Sequence, residues 1–414
     1  MIETLFKYPA TINRYRQAPF FSARERFLIQ CEKQGYSRSM LLKIAWILLS
    51  LANQIDIANG RVTPQDIELA VASRTRFIHP FKKELKSESS HQLFVHIATK
   101  WMQCLGYFEP SPRERCSFTS QITEFVRYLD EERGLSPVTI ATRCERLNWF
   151  LKGLQPNLKT LHTISIDDVD AFIEEKGNNG WSRSSLSSMA SSLRSFFRYA
   201  EGRRWCAQGI ADAIKSPRLY ALEGLPKGPS WEDVQRLLAS TRGDRPVDIR
   251  NHAILLLLAV YGLRRGEVAR IQLDNLDWVG ERILISRPKQ RRVQYYPLVP
   301  VVGEAILRYL RKVRPHSIHR VLFLTLAAPI RPLSAMSISP IVRSRLKALG
   351  ISLPSRGAHC LRHACASHLL ASGFTLKQIG DHLGHRYASS TLCYTKVDLT
   401  GLREVAELDL GRLL

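Results

Sequence analysis

The chain has 414 residues, with 60 Lys plus Arg against 37 Asp plus Glu and a formal net charge of +23 on an ordinary apolar content of 45%. That length is too great for one small helical domain and calls for two or three compact units. The charge points to a polyanionic partner, with nucleic acid ahead of a membrane surface, and the scattered cysteines, lacking any Cys-x-x-Cys pair, argue against a disulfide framework or a zinc ribbon.

At the N-terminus Glu3, Lys7 and Arg14 interrupt any signal-like order, so a cytoplasmic protein is expected. Met40 to Ala52 is strongly apolar but too short to span a bilayer and carries Lys43, which predicts a buried helix. Residues 1–112 form a helical N-terminal domain in this reading. Beyond it, Phe118, Ile122, Phe125 and Leu129 keep a helical period that Gly134 closes. Ser136-Pro137 supplies a cap and a first-turn proline for a helix burying Ile140, Leu147 and Leu151. Ser165 and Asp168 approximate a capping box before Val169, Phe172 and Ile173, and a last helix turns Leu186, Met189, Leu193 and Phe197 inward. Residues 113–214 thus read as a four-helix module.

The first 112 residues match that module in order at three points. Gly35-Tyr36-Ser37 pairs with Gly134-Leu135-Ser136, Thr63 to Ile67 with Ser165 to Val169, and Ala98 to Gly106 with Arg194 to Gly202. The spacing drifts, so duplication and helix-rich coincidence stand as even alternatives.

Residues 215–229 hold Pro217, Gly224, Pro226, Gly228 and Pro229, a linker composition that sets a domain boundary. In residues 230–414, Trp231 to Ser240 and Asn251 to Arg264 predict helices, while Glu281 to Ser286 and Val293 to Val299 predict two strands around a basic turn. The expected fold class is mainly α with a small β-hairpin, an α+β arrangement in the C-terminal domain.

Several polar residues of this last domain are ordinary when taken singly. Arg264, between Gly262 and Gly266, could be an end charge favoured by its helix dipole. His359 and Arg362 lie about a turn apart and so share a helix face, with Leu361, Cys365 and Leu369 turned to the core. Thr375 to Leu383 is a short amphipathic segment that ends at Gly384, with His385 just past the cap and Tyr394 further on. His359, Cys360, His363 and Cys365 crowd one helix, yet Cys360 leaves it at another angle and no second ligand cluster completes a tetrahedron, so no metal is assigned. A Gly-x-x-x-x-Gly-Lys nucleotide loop is also missing.

The joint order is another matter. Gly262-Leu263-Arg264, Lys289 in the hairpin turn, His359-x-x-Arg362-His363, Leu383-Gly384-His385 and Tyr394 together resemble the tyrosine recombinase/integrase family over residues 113–414. The resemblance implies a helical core-binding domain at 113–214 and a catalytic domain at 230–414, with residues 1–112 additional and open to reading as a second core-binding-like module. It implies that Arg264 and Arg362 grip the non-bridging oxygens of a DNA phosphate, and that Tyr394 attacks phosphorus to leave a 3′-phosphotyrosine and a 5′-hydroxyl with no cofactor. His359 would exchange a proton with the tyrosine hydroxyl, Lys289 would protonate the leaving 5′-oxygen, His385 would donate to the phosphate and Glu267 would buttress the site. Arg287, Arg291 and Arg292 are expected DNA contacts, and His363 a residue that packs or orients its neighbours.

As partners the resemblance implies double-stranded DNA held in a clamp, and four protomers that exchange strands through a Holliday junction, alone or with related recombinases. The tail from Val397 to Leu414 would dock on a neighbouring protomer or close its own domain. The long N-terminal extension leans the reading towards a mobile-element recombinase. Two rivals are a type IB topoisomerase-like nicking-closing enzyme and a DNA-binding accessory protein without chemistry; the filled catalytic positions speak against the second.

Overall fold

The computed structural model describes residues 1–55, 61–73, 88–110, 118–154, 160–219, 228–287, 292–354 and 357–397. The chain divides into two compact units: Pro110–Glu223, and Met1–Glu109 together with Gly224–Leu414. Both are built mostly from helices, and among the described residues no helix is long and apolar enough to cross a membrane.

In the N-terminal segment α1 (Ile2–Leu5) and α2 (Pro9–Gln17) precede α3 (Phe21–Lys33), α4 (Arg38–Ala52), α5 (Pro64–Ser73) and α6 (Glu88–Leu105). The apolar run from Met40 is the buried face of α4, as its composition predicts. Pro110–Glu223 contains α7 (Thr119–Arg127), which winds on through a π-turn over Tyr128–Glu132, then α8 (Pro137–Gly153), α9 (Ile166–Asn178), α10 (Arg183–Gly202) and the short α11 (Ile210–Ala213). Ser136 and Ser165 cap α8 and α9 as expected, the latter in a reciprocal capping box with Asp168.

The two helical segments share their local chemistry. Gly35 and Gly134 both take positive φ, +84° and +57°. Ser37 and Ser136 then accept from the Met40 and Thr139 N–H groups at 3.3 Å each. Thr63 and Ser165 donate their backbone N–H to Asp66 and Asp168 at 2.8 Å each. Aligned on the two capping serines, Leu41, Leu48 and Leu51 of α4 are buried like Ile140, Leu147 and Phe150 of α8.

Two aligned positions differ in kind. On α8, Arg143 donates to the Ser195 hydroxyl at 2.9 Å and Arg146 to the Ser192 hydroxyl at 3.2 Å, both half-buried at the edge of a polar groove of about 500 Å³ between α8 and α10. On α4 the same positions are Ile44 and Ile47, exposed by 0% and 1%. Helix α1 packs on α4, and its Ile2 and Leu5 join the apolar core that contains both isoleucines.

In the C-terminal half α12 (Trp231–Ala239), α13 (Pro246–Val260) and α14 (Arg265–Val268) lead into an antiparallel sheet of β1 (Leu276–Asp277), β2 (Arg282–Arg287) and β3 (Arg292–Pro297), in that order. Then come α15 (Pro300–Lys312), α16 (Ala335–Ala348), α17 (Ala358–Ala371), α18 (Leu376–Leu383) and two 3₁₀ turns, Ala388–Ser390 and Leu392–Val397. Helix α13 begins and ends earlier than the span 251–264 predicted for it, because Pro246 is preset for a first helical turn and Gly262 takes a φ of +58° that no helix continues. Strand β1 was not foreseen, since two residues carry no alternation to read. Helix α13 is buried nearly all round and packs on α15 and α17, which fixes α17 in the middle of the domain.

The contrast between α4 and α8 can be tested by thermal unfolding. Ile44→Arg is expected to cost about 3 kcal/mol or more, because it forces an unpaired charge into a fully buried position, whereas Arg143→Ile should stay within about 1 kcal/mol.

Candidate active site

The site starts where α13 ends. The chain turns at Gly262 so close to α18 that a Cβ there would strike the Leu383 side chain, and Arg264 follows as the residue that leads into α14. The Arg264 N–H donates to Glu267 Oε2 at 2.9 Å and its Nη1 to Glu267 Oε1 at 2.8 Å. Glu267 is buried while the Arg264 side chain stays 35% exposed, so the carboxylate acts as an anchor that leaves the guanidinium facing outward.

Arg362, on α17, is buried and held at both ends of its fork: Nη1 donates to the Gly262 carbonyl at 2.7 Å and Nη2 to the Leu383 carbonyl at 2.8 Å. His359 lies one turn earlier on the same helix, on the side open to solvent. Gly384 closes α18 in the left-handed region, with φ +62°. His385 follows, its N–H donating to the Gly380 carbonyl at 2.8 Å and its Nδ1 hydrogen-bonded with the Thr391 hydroxyl at 2.7 Å.

Arg287 corrects an expectation. Read from sequence as a DNA contact in a basic turn, it is 2% exposed. Its Nη1 donates to the Leu383 carbonyl and, at 3.3 Å, to that of Gly384, its Nη2 donates to the Tyr296 hydroxyl, and Glu267 lies 3.8 Å away. The reason is strand geometry: Ile283, Ile285 and Arg287 alternate onto the inner face of β2. A Cβ on Gly384 would collide with this guanidinium, so the residue that places His385 has to be glycine.

These groups act on one another electrically. Burial, then the neighbouring Arg264 and Arg287, lowers the Arg362 pKa to about 10. Burial, followed by the fields of Arg362, Arg264 and Arg287, takes His385 down to about 4, and burial with Arg362 and Arg264 lowers His359. Both imidazoles are therefore neutral at physiological pH. Glu267 is one carboxylate set against Arg264, Arg287 and Arg362, so the cluster keeps a positive excess suited to an anion.

Tyr394 sits in the last 3₁₀ turn, packed against α17 and α18 and 2% exposed. Its hydroxyl is hydrogen-bonded with Nδ1 of His363 at 3.0 Å, not with His359, whose ring stands edge-on to that of His363 with centroids 4.4 Å apart. His363 was expected only to pack or orient its neighbours. The signal available in the sequence was its place one turn after His359 and beside Arg362. Burial, then His359 and Arg362, takes the His363 pKa down to about 4, and burial holds the Tyr394 phenol well above its usual range. In this state the phenol is protonated and shielded.

Lys289 and Arg291 lie outside the described residues, as does the tail from residue 398. Arg292 is described through its backbone, which pairs with Arg287 across the hairpin. Arg264, Glu267, His359, Arg362 and His385 are thus brought together, with Tyr394 held beside them by His363.

Comparison with known proteins follows the same lines. Residues 230–400 match the phage integrase family and residues 122–204 match the phage integrase N-terminal SAM-like domain. A putative integrase/recombinase of Sinorhizobium fredii is 37% identical over 288 residues, covering 69% of this chain and 69% of that protein. The tyrosine recombinase XerC of Brucella melitensis is 30% identical over 301 residues, 70% of this chain and 94% of that one. Among solved structures, the XerH site-specific recombinase bound to palindromic difH substrate in a post-cleavage complex shares the fold, with a TM-score of 0.55 at 18% identity over 72% of this chain and 89% of that chain. With an arginine cluster, neutral histidines and a neighbouring tyrosine set on this fold, the chain belongs to the phage integrase family of tyrosine recombinases.

Proposed function

We propose that this protein is a site-specific recombinase that cuts and rejoins double-stranded DNA through a 3′-phosphotyrosine, passing through a Holliday junction within a tetramer, in the service of a mobile element. The observation that carries the reading is the convergence of Arg264, Arg362, His359 and His385 on one positively charged spot, with the Tyr394 hydroxyl tied to the same helix through His363. The chemistry then follows from the groups. A scissile phosphate enters the arginine cluster, which offsets the charge that grows on its non-bridging oxygens. The Tyr394 oxygen attacks phosphorus and the bond to the 5′-oxygen breaks. The phenolic proton goes to an imidazole, His363 being the partner already in place and His359 the ring beside it, while Lys289 supplies the proton that the 5′-oxygen takes. The bond energy stays in the phosphotyrosine, so the reverse attack by a 5′-hydroxyl reseals the strand without a nucleotide cofactor.

Tyr394, 2% exposed, has to come out of its packed position to reach phosphorus, with an imidazole kept within reach of its hydroxyl. Occupation of the arginine cluster by DNA is the event expected to release it. For DNA contact outside the active site, the groove between α8 and α10 offers Arg143 and Arg146 among Thr139, Thr142, Ser187 and Ser191, groups suited to phosphate oxygens. Residues 1–112 are read as a second core-binding-like module on the strength of the matching caps, but Ile44 and Ile47 stand where that groove has its cations, so the equivalent face packs on protein rather than on DNA.

On a nicked suicide duplex the protein should form a covalent adduct, and Tyr394→Phe should abolish it while DNA affinity stays within roughly threefold. An adduct that survives in this variant would place the nucleophile elsewhere. Supercoil relaxation without exchange between two sites would favour the topoisomerase-like alternative. Replacing Arg143 and Arg146 by alanine should lower the slope of log affinity against log salt by about two. Because the folded pKa of His363 and of His385 lies near 4, below the usual 6.5, the unfolded chain takes up protons first as pH falls. Stability should therefore decline between about 6.5 and about 4, and a thermal unfolding series should find that decline shallower in His363→Gln.

A further inference from the structure

The C-terminal part of the chain enters its unit directly against the helix that bears the histidines. A Cβ on Gly228 would stand 2.8 Å from the Ala364 nitrogen, 3.1 Å from the Cys360 carbonyl oxygen and 3.2 Å from the His363 Cβ, all on α17. Two of these neighbours are backbone atoms, which cannot rotate away, so only glycine allows the approach. Pro229 is buried next to it, and Trp231, at the start of α12, stacks on His368 of the same helix with ring centroids 3.9 Å apart and planes 3° apart. Residues 228–231 thus run along α17 from Cys360 to His368.

The middle of that contact is His363. Gly228 lies on one side of it, where an added Cβ would stand 3.2 Å from the His363 Cβ; the ring of His359 lies on another, and the Tyr394 hydroxyl is at 3.0 Å. We infer that Gly228 is a positioning residue, whose close approach to α17 sets the His363 imidazole and through it the place where Tyr394 is held. The point at which the chain arrives from the helical module then also governs the nucleophile. The inference rests on reading Tyr394 as that nucleophile.

The test uses the full chain and two readouts: single-turnover adduct formation at saturating nicked duplex, with DNA affinity measured in parallel, and the imidazole nitrogen resonances of His363 in the DNA-free protein labelled with ¹⁵N-histidine. Gly228→Ala should slow adduct formation about tenfold with affinity within about twofold, and should move the His363 Nδ1 resonance. Ser230→Ala is the control, since Ser230 caps α12 by accepting from the Asp233 N–H at 3.2 Å, and it should leave both readouts unchanged. His368→Ala frees the same segment without adding atoms and should act in the same direction by about threefold, which keeps the test open should the alanine at 228 prevent folding. Wild-type rates and resonances in the folded variants would overturn the inference. So would a slower rate with the His363 resonance unmoved, or an equal effect from Ser230→Ala. Persistence of the adduct in Tyr394→Phe would instead overturn the underlying reading.

Discussion

A single backbone oxygen, that of Leu383, accepts hydrogen bonds from two buried guanidiniums, Arg287 of β2 and Arg362 of α17. Carbonyls in the last turn of a helix lack an intrahelical partner and lie at the negative end of its dipole, so the end of α18 is suited to hold cations away from water. A buried arginine without such partners would be strongly destabilising. The sheet, the central helix and the end of α18 are therefore tied at one atom. His385 comes two residues later, across a glycine that cannot carry a side chain without striking Arg287. Anchoring the arginines and placing this histidine are one structural event.

The electrostatics of the site follow from that arrangement. Arg264 and Arg287 pair with the carboxylate of Glu267, whose field also reaches Arg362, and His385 and His363 are pushed down to about 4. Positive charge is thus kept on the arginines, which can bind an anion, and kept off the imidazoles, which can then accept protons. The phenol of Tyr394 stays protonated because it is buried. A site in this condition suits an anion, while the Tyr394 hydroxyl is buried and hydrogen-bonded with His363.

The two helical segments show how one set of local signals can support different surfaces. Positive-φ glycine, capping serine and hydroxyl-to-aspartate pairing recur in the same order, at Gly35, Ser37 and Thr63 and again at Gly134, Ser136 and Ser165. These punctuate helices and say nothing about what the helices face. The face is set by Arg143 and Arg146 in one segment and by Ile44 and Ile47 in the other, the first bordering an open groove and the second joining a core with α1.

Much of the protein could be read before any coordinates. Helix starts at Ser136, Ser165 and Thr375 and the stop at Gly384 were legible because capping operates between residues three or four apart. The order of Arg264, His359, Arg362, His385 and Tyr394 was legible as a set of chemical types. The burial of Arg287 was not, because its acceptor at Leu383 lies 96 residues away and Lys289, Arg291 and Arg292 close by in sequence give the turn a basic character. The pairing of Tyr394 with His363 spans 31 residues, and the contact of Gly228 with α17 joins a linker-like segment to a helix more than a hundred residues on. Sequence alone determined the capped helix starts at Ser136, Ser165 and Thr375, the stop at Gly384 and the inventory of reactive groups, since these depend on interactions within a turn or two. Which arginine points outward, which histidine holds the tyrosine and which glycine presses on that histidine were decided only by tertiary packing, because each depends on distant segments being brought within hydrogen-bond or van der Waals reach.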